Sequence, residues 1–144
     1  LGFRGLSSPQ GSVEEPFQAI PLLLISGASF VARAYSANPK QLAAIVKQAV
    51  QHKGFSFIEV LQPCVSYNNT YSYYNQHIKE LEKLPTDMMD AICLASETET
   101  IWTGVYYKAE KPTYHESAQG LTNPALQRPE QSSRLQLLNS LDLI

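Results

Sequence analysis

The sequence predicts an α/β fold with parallel strands, and two observations carry this prediction. Residues 29–62 have the patterns of a strand, a helix and a second strand in direct succession. This βαβ order places two parallel strands side by side, joined by a right-handed crossover. The chain has 144 residues, of which 44% are hydrophobic and 17% charged. This size and composition suit one hydrophobic core rather than two.

The N-terminal region is predicted to be a loop followed by one helix. Residues 1–11 are rich in Gly, Ser and Pro and show no apolar periodicity, which is typical of a loop. Ser12 and Glu15 have the spacing of a capping box. A helix is therefore predicted from Ser12, with a kink or a restart at Pro21 and an end at Gly27.

The βαβ unit has the clearest local pattern. Residues 29–35 form an apolar strand pattern, after which Asn38 can cap a helix that has Pro39 at its first position. The helix carries apolar residues at the spacing of one face: Leu42, Ile45, Val46, Ala49 and Val50. Gly54 can take the left-handed conformation that ends it, and residues 55–61 then form a buried strand.

The C-terminal half has weaker patterns. Helical spacing of Tyr74, Ile78 and Leu81 predicts a helix over residues 70–84, and Thr86 can cap another. Residues 101–107 are rich in aromatic and β-branched residues, which favours a strand. The tail beyond about residue 115 is predicted to be extended up to a short last helix, marked by Leu135, Leu138 and Leu141.

Charge and apolar runs exclude several classes of protein. Eleven basic and thirteen acidic residues give a net charge of −2, with no basic patch for a nucleic acid or an anionic membrane. The longest apolar run, residues 20–25, is far shorter than the roughly 20 residues that span a bilayer. A soluble, cytoplasmic protein with two reduced cysteines is predicted.

Few residues are candidates for chemistry, and no phosphate-binding loop, nucleophile elbow or paired-cysteine motif is present. His52, His77 and His115 lie far apart, so each is interpreted as a structural or surface group. Cys93 lies between Ile92 and Leu94 in a predicted helix, and it is interpreted as a small core residue.

Cys64 is the strongest candidate, because it follows a buried strand at the sheet edge where ligands of parallel sheets bind. Its thiolate could bind a soft metal or an iron–sulfur cluster, or it could be a buried structural thiol. A nearby aromatic group could stack on a ring or line an interface, but packing beneath a helix is favoured. Its members are Tyr67, Tyr71, Tyr73 and Tyr74.

Several stretches together resemble the β subunit of 2-oxoacid:ferredoxin oxidoreductases in order and spacing. The resemblance spans roughly residues 4–116 and implies the C-terminal half of a thiamine-diphosphate-binding domain. The matching stretches are residues 8–9, 15–17, 27–35, 39–42, 52–55, 58–68 and 101–114. On this basis the domain is expected to cover residues 1–116, with a tail and a terminal helix over residues 117–144.

The resemblance also implies an activity, cofactors and partners. Such enzymes convert a 2-oxoacid, such as pyruvate or 2-oxoglutarate, and coenzyme A into acyl-CoA and carbon dioxide, and they reduce ferredoxin. The β subunit holds thiamine diphosphate, magnesium and a 4Fe-4S cluster, and Cys64 matches the fourth cluster cysteine. Arg4 stands about where the family often has a lysine beside the substrate pocket, which implies a cofactor-binding role. An α subunit, ferredoxin and a higher oligomer are the implied partners.

The chain lacks other parts of the family pattern. The remaining cluster cysteines and the Gly-Asp-Gly segment for magnesium and diphosphate would lie upstream of Leu1, and no catalytic residue can be assigned. The 144-residue piece alone is therefore expected to be an inactive fragment without bound cofactor. It is also expected to self-associate, because half a sheet leaves an unpaired edge. The alternative interpretation is a non-catalytic structural or subunit-interaction domain.

Overall fold

A computed structural model describes residues 2–5 and 8–118, and its helices and strands alternate along most of that part of the chain. The elements are α1 (Ala19–Ile25), β1 (Phe30–Tyr35), α2 (Pro39–Gln51), β2 (Ser56–Leu61), α3 (Tyr71–His77), β3 (Ile78–Glu80), α4 (Met88–Ala95), β4 (Ile101–Lys108) and α5 (Tyr114–Ser117). The structure divides into one unit of Leu1–Lys111 and a second of Pro112–Ile144. The predicted helix near Leu138 lies outside the described residues.

The four strands form one mixed sheet in the order β2-β1-β4-β3. β1 and β2 are parallel, with Phe30 opposite Ser56 and Tyr35 opposite Leu61. β4 is antiparallel to β1 and parallel to β3. The predicted α/β class and the parallel β1–α2–β2 unit are confirmed. The sheet as a whole is not parallel, because the β3–β4 pair runs against the β1–β2 pair.

Helices cover both faces of the sheet, so the Leu1–Lys111 unit has two apolar clusters. On one face, α1 and α4 pack against Val31 and Tyr106 of the sheet, with Ile20 and Leu24 of α1 fully buried. On the other face, Ile45 of α2 packs against alternate residues of β1: Phe30, Ala32 and Ala34. This alternation is the two-residue period of a strand that is buried on both faces.

The predicted start of α2 is confirmed, and its apolar face is only partly buried. The Asn38 side chain accepts a hydrogen bond from the Gln41 N–H at 3.2 Å, and Pro39 is the first helical residue. Ile45 is buried, but 42% of Val46 and 80% of Val50 are exposed. The stripe of apolar residues is therefore wider than the sheet surface that covers it.

The predicted capping box at Ser12 and Glu15 is wrong, since the helix begins seven residues later, at Ala19. The backbone of Ser12 is used in a paired loop instead: its N–H donates to the Phe3 carbonyl at 2.9 Å, and its carbonyl accepts from the Gly2 N–H. Pro21 causes no kink, because it lies in the first turn, where helix N–H groups have no partner inside the helix.

The predicted end of that helix at Gly27 is nearly right. The helix ends at Ile25, and Gly27 follows with a φ of 89°. The Ala28 N–H donates to the Leu23 carbonyl and the Gly27 N–H to the Leu24 carbonyl, both at 3.0 Å. These two bonds form a Schellman motif, which needs the left-handed conformation that glycine adopts without strain.

The helix predicted over residues 70–84 is wrong in its second half, because α3 ends at His77 and Ile78 begins β3. Residues Ile78–Glu80 pair in parallel with the start of β4, and the Leu81 N–H donates to the Thr103 carbonyl at 2.8 Å. Helical spacing could not reveal this pairing, which depends on a strand about twenty residues downstream. The next predicted helix is present but begins one residue later than the Thr86 cap predicts, because Asp87 caps it and Met88 is its first residue.

A charged network crosses three strands within the sheet. Arg33 of β1 pairs with Glu59 of β2, with Nε 2.5 Å from Oε2. The Nη1 of Arg33 donates to the Tyr106 hydroxyl at 3.1 Å. Tyr106 in turn donates to the Trp102 carbonyl at 2.8 Å. Tyr106 lies where the β1–β4 register shifts, and a bulge of this kind changes the direction of a side chain. Arg33 and Glu59 are only 11% and 26% exposed.

The Tyr106 phenol gives the fold an alkaline limit. Burial, the largest cause, raises the pKa of Tyr106 to about 12, although Arg33 acts in the opposite direction. The unfolded chain loses this proton near pH 10 and the folded chain keeps it to a higher pH, so stability falls as pH rises between these values. Denaturant unfolding of Tyr106→Phe should show a weaker loss of stability between pH 10 and pH 12 than the unmodified chain. An identical pH dependence in both proteins would contradict this assignment.

The sheet edge at β2 is unpaired within the described residues, and apolar side chains lie exposed near it. Val60 of β2 is 44% exposed and Phe55, just before β2, is 58% exposed. Such an edge is a template for pairing with another chain. Self-association stays a prediction, which a clean monomer in sedimentation at tens of micromolar would contradict.

No helix among residues 2–5 and 8–118 is long and apolar enough to cross a membrane.

Candidate functional site

The candidate site lies at the carboxyl ends of the parallel strands β1 and β2, which finish side by side. The last residues of the two strands, Tyr35 and Leu61, are opposite each other in the register. Pro63 is buried just beyond β2, and Cys64 follows it as a half-buried residue with a free thiol. The sequence-based placement of Cys64 at the carboxyl ends of the strands is therefore correct.

Cys64 begins a tight turn that holds its own sulfur close to hydrogen-bond donors. The Asn68 N–H donates to the Cys64 carbonyl at 2.9 Å, which closes the turn as an antiparallel bridge between the two residues. Inside this turn, the Ser66 Oγ lies 3.4 Å from the Cys64 Sγ. Ser66 was not singled out from the sequence, although a hydroxyl two residues after a cysteine in a turn can reach its sulfur.

The turn favours the thiolate form of Cys64. The hydrogen bond from Ser66 is the largest cause that lowers the pKa of the Cys64 thiol, and backbone N–H groups of Tyr67, Ser66 and Asn68 act in the same direction. Desolvation opposes them. A thiolate is the form of cysteine that binds metals and attacks electrophiles. The turn therefore makes the thiolate of Cys64 easier to form, at the carboxyl ends of the parallel strands.

The aromatic group predicted near Cys64 divides into a packed part and an exposed part. Tyr74 of α3 packs edge-on against Tyr35 of β1, with ring centroids 5.6 Å apart, and the Tyr35 hydroxyl donates to Asn75 Oδ1 at 3.1 Å. Burial, followed by Tyr71 and Tyr74, raises the pKa of Tyr35. Tyr67, Tyr71 and Tyr73 are each 38% exposed or more. Packing under the helix thus explains Tyr74 alone.

The N-terminal segment that carries Arg4 lies against the Cys64 turn. The Phe3 and Tyr67 rings meet with centroids 5.6 Å apart, and Tyr67 belongs to that turn. Arg4 follows Phe3 and its side chain is exposed. The structure therefore brings the two segments with the sequence-predicted site residues together. A cofactor-binding role for Arg4 stays a prediction.

The other candidates from the sequence have structural explanations or lie elsewhere. His52 is 2.9 Å from the buried Ser29 hydroxyl at the opposite edge of the sheet, and His77 Nδ1 lies 2.7 Å from the Tyr73 carbonyl. His115 is part of the short helix α5. The prediction that Cys93 is a core residue is wrong: Cys93 is exposed, because α4 turns Ala91 and Ala95 into the core instead.

The residues that surround Cys64 fit one ligand of a metal cluster and no more. Across residues 2–5 and 8–118, no group of three or more His, Cys, Asp or Glu side chains could hold a metal ion. An iron–sulfur cluster needs several thiolates. If Cys64 binds such a cluster, the other ligands must therefore come from outside the described residues.

Comparisons with known proteins identify a family model and several relatives that are similar to this chain. A family model that describes the C-terminal part of the pyruvate ferredoxin oxidoreductase beta subunit matches residues 64–123, so that the matched segment begins at Cys64. A "2-oxoacid:ferredoxin oxidoreductase subunit beta" from Saccharolobus solfataricus is 33% identical over an alignment of 132 residues, which covers 81% of this chain and 43% of the relative. The chain therefore spans less than half the length of that relative.

Two further relatives come from other organisms. "2-oxoacid:ferredoxin oxidoreductase 1, subunit beta" of Aeropyrum pernix is 42% identical over 82 residues, covering 56% of this chain and 26% of the relative. "2-oxoglutarate synthase subunit KorB" of Methanothermobacter thermautotrophicus is 42% identical over 66 residues, covering 46% and 23%. By their names, all three relatives are subunits of enzymes that act on 2-oxoacids.

A solved structure shares the fold. The 2-oxoglutarate:ferredoxin oxidoreductase from Magnetococcus marinus, with 2-oxoglutarate, coenzyme A and succinyl-CoA bound, superposes with a TM-score of 0.76 and 24% sequence identity. The match covers 91% of this chain and 47% of that one. The matched segment from Cys64 onward and the named relatives point to the same group of proteins. The chain is similar to 2-oxoacid:ferredoxin oxidoreductase β subunits, and the family model that it matches describes the C-terminal part of such a subunit.

Proposed function

We propose that this chain is part of an enzyme that oxidatively decarboxylates a 2-oxoacid. The overall reaction joins the acyl group to coenzyme A, releases carbon dioxide and passes two electrons to ferredoxin. The observation that carries this proposal is the match to β-subunit relatives. In this chain Cys64 lies at the carboxyl ends of the parallel strands β1 and β2. The chain covers less than half of those relatives, so the activity belongs to a longer subunit.

We further propose that Cys64 supplies one thiolate to a 4Fe-4S cluster in that longer subunit. The free thiol, the Ser66 hydroxyl 3.4 Å from its sulfur and the lowered pKa of Cys64 support this role. Thiamine diphosphate, if held there with magnesium, would supply the carbanion stabilisation that decarboxylation needs. The residues that hold these groups are proposed to lie upstream. Arg4, which follows Phe3 against the Cys64 turn, would add a positive charge there for an anionic substrate or cofactor.

The proposed substrate is pyruvate or 2-oxoglutarate, and the proposed partners are an α subunit, ferredoxin and a second copy of the complex. Relatives named for 2-oxoglutarate and the structural neighbour with bound 2-oxoglutarate support the larger acid. The name of the matched family supports pyruvate. Exposed apolar side chains such as Val50 and Ile25, 80% and 72% exposed, support contacts with other chains. The same exposure favours the alternative of a docking domain without activity of its own.

One assay separates the enzyme from the docking domain. The complete β subunit is produced with its α partner without oxygen, and reduction of ferredoxin is followed with pyruvate or with 2-oxoglutarate. The proposal predicts reduction that requires both coenzyme A and one of the two acids. A complex that is loaded with thiamine diphosphate and iron, yet reduces ferredoxin with neither acid, would leave only the docking role.

A further inference from the structure

The two outer strands of the sheet differ in character. β3, at one edge, has three residues, and its Lys79 and Glu80 are exposed. A short strand with exposed charges is typical of an edge that stays free in a native protein. β2, at the other edge, has six residues, and its one charged residue, Glu59, is paired with Arg33 inside the sheet. β2 therefore lacks the features that keep an edge free.

The backbone of β2 offers hydrogen-bonding groups to a further strand. The Phe55 and Leu61 carbonyls both accept hydrogen bonds from the β1 side. Backbone groups of successive strand residues point in opposite lateral directions, so every second residue of β2 faces away from β1. These outward residues are Ser56, Ile58 and Val60. Among the described residues, no strand pairs with this side of β2.

The apolar face of α2 extends past the β2 edge. Gln41 and Gln48 of α2 line a cavity together with Val105 of β4, so this flank of the helix faces β4. At 3.6 residues per turn, Val46 and Val50 lie on the opposite flank, which faces β2 and the space beyond it. They are 42% and 80% exposed. The helix therefore has apolar surface for one more strand than the sheet provides.

The two faces of the sheet beside β2 are both apolar. On the α2 face, Ile58 packs against the core, and Val60, two residues further along the strand, is 44% exposed. On the opposite face, Phe55 is 58% exposed and lines a cavity with Leu23 of α1. A strand beside β2 would thus meet apolar side chains on both faces. Such a strand needs apolar residues on both of its own faces, the pattern of an interior strand.

The rest of the longer subunit can supply this strand. The chain covers 43% of the Saccharolobus solfataricus relative and 47% of the structural neighbour, so more than half of each lies outside it. A strand of the same polypeptide has a high effective concentration beside β2, whereas a separate chain loses translational freedom on binding. We propose that a strand from the part of the longer β subunit outside this chain pairs with β2 and is buried between α2 and Phe55. This inference rests on the proposed assignment to a longer subunit.

Hydrogen exchange in the complete β subunit, purified without oxygen and without its α partner, tests this pairing. Exchange at single residues of β2 is followed by mass spectrometry with electron-transfer fragmentation. The amides of residues 57, 59 and 61 face β1 and are the internal reference. We expect the outward amides to exchange as slowly as this reference, at least about a hundredfold more slowly than unpaired amides. Fast exchange at the outward amides beside a slow reference would overturn the inference.

Two further outcomes would identify a different occupant of the edge. Slow exchange that appears only after the α subunit is added would assign the edge to that subunit and overturn the inference. Slow exchange only at concentrations where the β subunit sediments as a dimer would assign it to a second copy, with the same consequence. Ferredoxin reduction by the complete complex is measured separately. Protected outward amides in a complex without activity would refute the proposed function and leave the strand pairing supported.

A pair of matched variants tests the apolar cover of the added strand. Val50→Asp in the complete β subunit should lower the melting temperature by about 5 °C or more, because the carboxylate would be buried against that strand. Val13→Asp is the control, since Val13 is 85% exposed in the N-terminal segment, and it should keep the melting temperature of the unmodified subunit. An unchanged melting temperature in Val50→Asp would overturn the inference.

Discussion

Cys64→Ser in the complete β subunit is expected to lower the rate of 2-oxoacid-dependent ferredoxin reduction by at least about a hundredfold. Substitutions around metal ligands already cost tenfold to a hundredfold, and this one removes a ligand. A serine hydroxyl stays protonated at neutral pH and is a poor ligand for iron compared with a thiolate. The measurement is the steady-state rate of ferredoxin reduction with saturating 2-oxoacid and coenzyme A.

Cys93→Ser is the matched control for this experiment. Cys93 is the other free cysteine, and it is exposed on α4 rather than placed in the Cys64 turn. Its replacement should leave the rate and the iron content unchanged. A large loss in Cys93→Ser, or full activity in Cys64→Ser, would show that the ligand role has been assigned to the wrong sulfur.

Arg33→Ala is expected to lower the free energy of unfolding by about 3 kcal/mol. The substitution leaves the Glu59 carboxylate largely buried without its counter-ion, and it removes a donor to the Tyr106 hydroxyl. This value is near the lower end for breaking a buried ion pair, because Glu59 keeps 26% of its surface exposed. Urea unfolding followed by circular dichroism measures the difference.

The double variant Arg33→Met with Glu59→Gln is the control for the charge. It removes both charges together, so no unpaired ion is left buried. It should therefore recover a large part of the free energy of unfolding that Arg33→Ala loses. Arg33→Lys keeps the charge but lacks the planar guanidinium that reaches both partners. Its free energy of unfolding should lie between that of Arg33→Ala and that of the unmodified chain. A stability of Arg33→Ala within about 0.5 kcal/mol of the unmodified chain would contradict the network.

Local patterns predicted the parts of the fold that local contacts determine. Asn38 and Pro39 marked the start of α2 because the cap bond joins residues three apart. Helical spacing predicts a helix at Ile78, because its strand partner, Ile101, lies too far along the chain for a local pattern to reveal it. Ser12 has the correct neighbours for a capping box but bonds to Phe3 instead. In both cases a contact with a more distant residue decided the conformation.

The candidate site could be predicted only in part for the same reason. The strand and the proline before Cys64 predict that it lies at the carboxyl ends of the parallel strands, and the structure has Cys64 there. The Ser66 hydrogen bond depends on how the turn closes, and the contact of Phe3 with Tyr67 joins segments more than sixty residues apart. Arg33 was detectable in principle, since a charged residue in a buried strand needs a partner.

The most direct test of the central claim is the iron and sulfide content of the complete β subunit purified without oxygen, beside its Cys64→Ser variant. We expect about four iron atoms per β subunit in the unmodified protein, as in a 4Fe-4S cluster, and the loss of most of that iron in the variant. A variant that keeps the same iron content and the same resonance spectrum would contradict the assignment of Cys64 as a cluster ligand.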